Sequence, residues 1–163
     1  MATTKTMTAV FDVTPARLVA VLTDPDFLVA QQLLDAATVE ARVEEQSRTE
    51  ETLELELHAT EYCRGVLGID KSKTERSITT YRWDLAAKRC EWTYRRHRGD
   101  SFHAGGTDRV EAAGNGARLT TEFRLSVRVP LLGGKIEKLV MTAFAAREPK
   151  YVAVVRRFCA AMD

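Results

Sequence analysis

The chain holds three histidines, His58, His97 and His103, the residues from which acid–base or metal chemistry most often starts. Their spacing matches no metal-binding signature. Cys63, Cys90 and Cys159 are odd in number and far apart, with no CxxC pair. That argues against a cysteine zinc site and against a disulfide framework, and the three read as small apolar side chains. No Ser–His–Asp, Cys–His or paired-carboxylate pattern is recognisable. No metal, cofactor or catalytic residue is therefore assigned. Acid–base work would need groups that meet only in space. Tyr81, Tyr94, His103 and Asp108 are the candidates, with His103 beside Asp108 or Asp100 as one pairing.

Aromatic residues offer a different chemistry. Tyr81, Trp83, Trp92, Tyr94 and Phe102 are five of the chain's twelve aromatics and fall within 22 residues. They read either as cross-strand pairs stabilising a hairpin or as the aromatic wall of a binding cavity, where buried hydroxyls and indole N–H groups need partners. Arg95, Arg96, His97 and Arg98 follow. Aromatics interleaved with bases can bind single-stranded nucleic acid. This run is short and follows an acidic segment, so it reads as a solvated face with cross-strand Glu–Arg pairs and no nucleic-acid partner. Arg147 continues an apolar helical stripe. An inward guanidinium there would need a carboxylate or an anionic head group, whereas a kink or snorkelling would turn it outward. Gly133-Gly134 reads as a tight strand-to-helix connection.

These groups sit in an ordinary globular composition. The 163 residues carry 24 Lys/Arg and 23 Asp/Glu, for a net charge of +1, with 45% apolar residues. That suits one domain over residues 1–163. No transmembrane run and no secretory apolar block is visible, so a cytoplasmic protein without integral membrane association is expected, as a monomer or weak homodimer. The neutral total hides a pattern. Residues 35–61 carry a balance of −7 and residues 64–98 a balance of +6.

Periodicity supplies the scaffold. Residues 5–13 read as a strand. Thr14-Pro15 and Asp24-Pro25 are helix starts, each a capping residue followed by proline. Leu18, Val21 and Leu22 make one helical face, and the second short helix would bury some of Phe27, Leu28, Leu33 and Leu34. Val39, Ala41 and Val43 alternate with charge, as do Leu53, Leu55 and Leu57. Residues 60–74 read as irregular. Segments 75–84, 89–97 and 103–112 read as strands, and Gly114-Asn115-Gly116 as a turn. From Arg118 to Val129 apolar and polar residues alternate strictly until Pro130 ends the strand. A helix over 135–161 carries Ile136, Leu139, Val140, Ala143, Phe144, Tyr151, Val154, Val155 and Phe158 as its stripe, with Pro149 expected to kink or split it.

The order, strand, two short helices, antiparallel strands, long C-terminal helix, resembles the START/Bet v 1-like (SRPBCC, helix-grip) superfamily over the whole chain. Val13-Thr14-Pro15 through Thr23-Asp24-Pro25 is similar to its opening motif, in which Phe27 takes the place of a common Trp. Val127 through Glu137 (VRVPLLGGKIE), together with Trp83-Asp84, resembles one uncharacterised bacterial family within it. The resemblance implies an α+β fold. About seven antiparallel strands curve around the C-terminal helix, with a cavity between them. Members bind lipids, polyketides and other apolar molecules, and some are cyclases, aromatases or co-chaperones, so it implies no single reaction.

The leading expectation is a binder or carrier of a small, mostly apolar molecule. Its lining would be Leu55, Leu57, Tyr81, Trp83, Trp92, Phe123, Leu125, Phe144, Arg147 and Tyr151. An interior packed solid with side chains would argue against it. The register leaves open which face of the 81–94 hairpin is inward. A cyclase- or aromatase-type enzyme on the same cavity, and a co-chaperone-like interaction module using the charged sheet face, are the alternatives.

Overall fold

A computed structural model describes residues 2–65, 68–97 and 101–161. Strand β1 (Thr3–Phe11) leads into α1 (Pro15–Leu22) and α2 (Pro25–Gln32). Both helices start as their sequences dictate. The Thr14 hydroxyl accepts from the Arg17 amide at 3.2 Å, and the Asp24 carboxylate from the Asp26 amide at 2.9 Å. Six strands follow: β2 (Thr38–Arg48), β3 (Thr52–Gly65), β4 (Gly68–Asp84), β5 (Arg89–Arg96), β6 (Phe102–Ala113) and β7 (Gly116–Val127). The long helix α3 runs from Gly133 to Ala161. The seven strands form one antiparallel sheet in the order β1-β7-β6-β5-β4-β3-β2. This is the helix-grip fold.

The alternation read from the sequence sets the register. Leu53, Leu55 and Leu57 of β3 and Leu119, Phe123 and Leu125 of β7 all point to the inner face and are buried. Opposite them lie Phe27 of α2 and Val154, Val155 and Cys159 of α3. The Phe27 ring meets Tyr151 and Phe158 edge-on, at 5.9 and 5.6 Å between centroids. The 114–115 turn has Gly114 at φ +57°, the conformation a two-residue hairpin asks of its first position.

Several expectations are corrected. Residues 60–65 and 68–74 are not irregular: they extend β3 and β4, paired from Glu61↔Glu75 to Gly65↔Gly68 with a register shift between Tyr62 and Cys63. A hairpin arm that reaches past the core satisfies its backbone by ladder bonds and needs no alternating apolar face, so the period-two signal is missing. β1 lies two residues earlier than its alternation suggested. β7 stops at Val127, before Pro130. Pro149 does not split α3, which is one continuous element. It lies exposed, on the side where one lost ladder bond costs least. Leu139, at 71% exposure, and Ala143 lie on the outer side of α3 rather than in its buried stripe. Leu33 and Val39 are also exposed.

Candidate functional site

The inner wall of the sheet brings together most of the aromatic and apolar residues singled out in the sequence. Register pairs Leu55 with Tyr81, Tyr81 with Trp92, and Trp83 with both Leu53 and Cys90. The inward face of the β4–β5 hairpin is therefore the one bearing Tyr81, Trp83, Trp92 and Tyr94. Leu55, Leu57, Trp83, Phe123 and Leu125 are buried, and Tyr81 and Trp92 are half-buried. Phe144, Arg147 and Tyr151 come from α3 and are half-buried.

An aromatic stack closes this space. Phe144 lies flat on Phe123, centroids 4.6 Å apart and planes 9° from parallel. Phe123 stacks in turn on Trp92 at 5.7 Å and 19°. Such pairs stabilise by about 0.5–1.5 kcal/mol each beyond the area they bury. Among the described residues, hollows of about 420 and 450 Å³ open elsewhere, and neither is the expected space between sheet and helix. One is lined by Glu40, Thr60, Glu75 and His97 among others, and the other by Ser47, Glu54, Arg82 and Glu91 with Trp83.

Polar groups interrupt the oily wall. Asp108, buried on β6 opposite Cys90 and Thr121, accepts a hydrogen bond from the Thr121 hydroxyl at 2.8 Å and another from the Trp92 indole. Burial pushes its carboxyl up to about 6, and those two donors hold back a larger rise. The same burial, with the Asp108 charge nearby, pushes the Tyr81 and Tyr151 phenols up, and Arg147 opposes both. Arg147 points inward, as one reading had it, and among the described residues it finds a backbone oxygen. Its Nη2 donates to the Gln31 carbonyl at 2.8 Å, in the last turn of α2, where the Leu34 amide also donates to that oxygen at 3.2 Å and the helix's negative end favours a cation. The indole N–H of Trp83 is buried and has no hydrogen-bond partner among the described residues.

A second inward cluster surrounds Glu61, which is buried. Tyr94 donates its hydroxyl to Glu61 at 2.7 Å, and Gln32 its amide at 3.3 Å. Arg96 lies 4.5 Å over the Phe102 ring and 3.5 Å from Glu75. Arg96 thus belongs to the inner side, not to a solvated basic face, whereas Arg95 and His97 are exposed. Arg98 and Asp100 lie outside the described residues. His103 is exposed and opposite in parity to Asp108 along β6, so the two form no pair across one face.

Apart from the Glu61 and Arg96 cluster, the outer face carries much of the two charge blocks. Glu54 and Arg82 pair at 3.7 Å, and Arg42 pairs with Glu44. His58 Nε2 lies 3.2 Å from Glu44 and 3.1 Å from Glu56. The ligating atoms of these three residues fall within 4.8 Å of one another. Glu56 and His58 are two residues apart on β3, and pairing with β2 adds Glu44, which chain spacing alone does not show.

A family model described as a protein of unknown function, DUF2505, matches residues 6–147. No curated protein matches the chain. Solved structures do. One from Thermus thermophilus, TTHA0849, superposes with a TM-score of 0.66 at 16% identity, covering 99% of this chain and 100% of that one. The Zhui aromatase/cyclase from Streptomyces sp. R1128 gives 0.66 at 11% identity, covering 98% and 94%. A START superfamily protein from Mycobacterium smegmatis gives 0.55 at 14% identity, covering 93% of each chain.

Proposed function

The chain belongs to the DUF2505 family of proteins of unknown function, and we propose that it binds a small, mostly apolar molecule between the sheet and α3. The observation that carries this reading is the Trp83 indole. A buried N–H without an acceptor costs about 1–3 kcal/mol, and Trp83 holds one on the inner wall at 3% exposure. An oxygen of a bound molecule is the partner it lacks. Asp108, on the same wall, offers the complementary acceptor for a ligand hydroxyl. The ligand class is thus an apolar body that bears oxygen, such as a polyketide, sterol or fatty acid.

The ligand enters by displacing Phe144 from Phe123. The first half of α3 is the part of the helix that can yield, since its buried residues are Gly133 at the start and Val154, Val155 and Cys159 near the end. Native mass spectrometry of protein purified from its own host tests the reading. A small molecule that leaves on denaturation is the expected result. A bare protein mass, together with no quenching of Trp83 or Trp92 by fatty acids, sterols or aromatic polyketides, would sink it.

Asp108 also favours a second reading, an enzyme of cyclase or aromatase type. A carboxyl at about 6 exchanges protons near neutrality, and the Streptomyces aromatase/cyclase has a similar fold. Turnover of a polyketide chain that Asp108→Asn abolishes without weakening binding would select it.

A further inference from the structure

The outer side of α3's first half is apolar. Leu132, Leu139, Ala143 and Ala146 recur at helical spacing on one side, and all are exposed. Leu132 is 48% exposed and Leu139 71%. Leu131, in the turn before the helix, is fully exposed at 100% and has a φ of +65°. A leucine in that left-handed region costs about 1–2 kcal/mol, and its exposed side chain recovers nothing within the fold.

Along this turn and helix face the exposed charge has one sign. From residue 128 to 146 the exposed charged residues are Arg128, Lys135 and Lys138. Glu137, the acid of this stretch, is half-buried and turned toward β1, where the Thr3 hydroxyl donates to it at 3.4 Å. The amino end of a 29-residue helix adds a partial positive charge at the same place. Among the described residues no helix is long and apolar enough to cross a membrane.

We propose that this turn and helix face dock on an anionic lipid bilayer. Leu131, Leu132 and Leu139 enter the headgroup–acyl boundary, and Arg128, Lys135 and Lys138 meet the lipid phosphates. Leucines rimmed by lysine are the composition of helices that lie in a membrane interface, whereas lysine is depleted where proteins bind one another. A turn whose leucine is fully exposed also suits insertion into a fluid surface. The inference goes beyond the apolar-ligand reading and does not rest on it, since Phe144 faces the sheet on the other side of the helix.

Co-sedimentation of the full chain with vesicles tests it, comparing phosphatidylcholine alone with phosphatidylcholine containing about a third phosphatidylserine. The protein should partition to the anionic vesicles and not to the neutral ones. Each basic residue near such a surface strengthens binding by roughly fivefold, so Lys135→Glu with Lys138→Glu should weaken partition by more than about twentyfold. Leu131→Ser with Leu139→Ser should abolish it at unchanged charge. All four residues are exposed, so circular dichroism should show both variants folded. Equal sedimentation with and without anionic lipid would overturn the proposal. So would binding that survives the leucine changes. A dimer that light scattering detects, and that Leu139→Ser dissolves, would instead assign the face to a second copy of this chain.

Discussion

The indole of Trp92 lies across Gly106, its partner on the neighbouring strand, so closely that a Cβ at position 106 would come within 2.7 Å of the ring's Cζ2. Gly106 is also paired with Phe123 on its other side. The missing side chain lets Trp92 and Phe123 reach each other over β6 and stack. One glycine thus shapes the wall on which Phe144 rests, and it leaves the Trp92 N–H free to reach Asp108 on the same strand.

Gly106→Ala should therefore destabilise the fold at the upper end of the usual 1–3 kcal/mol for overpacking, about 3 kcal/mol. The new methyl meets the Glu122 carbonyl oxygen as well as the indole, and backbone cannot rotate away as a side chain can. Urea denaturation followed by far-UV dichroism checks the loss, and Trp fluorescence checks that the stack is disturbed. A loss below about 0.5 kcal/mol would show that the close approach carries no packing role.

Phe144→Ala removes the outermost ring of the stack. Phe144 is half-buried, so the cost should fall below the 3–5 kcal/mol of a fully buried phenylalanine, at about 2 kcal/mol. If Phe144 gates the interior, the variant should also take up an apolar fluorescent dye faster than the natural chain, with quenching of Trp92. Stopped-flow mixing measures this. Unchanged uptake at reduced stability would leave Phe144 a packing residue only.

The fold was legible because its strands face oil on one side and water on the other. The leucines of β3 and the alternation of β7 each fix a register, and the Thr14-Pro15 and Asp24-Pro25 caps fix two helix starts. The inner polar groups were harder to see. Glu61 shares the parity of Leu53, Leu55 and Leu57, a signal that could have placed it inward, but acids in an acidic segment read as solvated. Asp108 shows its role only when β7 brings Thr121 and β5 brings Trp92 beside it. The exposed face of α3 was hidden for the opposite reason. Leu139 and Ala143 fit a helical stripe that was wider than the strip the sheet can cover.

Asp108 should make stability depend on pH. Its carboxyl is pushed from an ordinary value of 3.8 up to about 6 on folding, so the folded state holds the proton more tightly. The contribution is fully present below about 4 and is lost as pH rises through about 6. The gap corresponds to at most about 3 kcal/mol. Asp108→Asn keeps an oxygen for Thr121 and carries no charge. Relative to the natural chain it should be more stable above pH 6, and the difference should shrink toward pH 4. Urea midpoints at pH 4.5 and 7.5 measure this, and an equal difference at both would remove Asp108 as the cause.

Trp83→Phe separates packing from hydrogen bonding at the unpaired indole. Losing a buried ring portion destabilises, whereas losing an unsatisfied N–H relieves about 1–3 kcal/mol. The two effects oppose each other, so stability in the empty protein should change by less than about 1 kcal/mol, far below the 3–5 kcal/mol of a Trp→Ala change. Affinity for an oxygen-bearing apolar ligand should fall by about tenfold, because a ligand acceptor then faces carbon instead of a donor. Calorimetric titration of the natural chain and the variant, with matched ligands that have and lack the oxygen, resolves the two effects. The oxygen should strengthen binding only where Trp83 is present. Equal preference in both proteins would place the ligand's polar end elsewhere on the wall, with Asp108 the next residue to change.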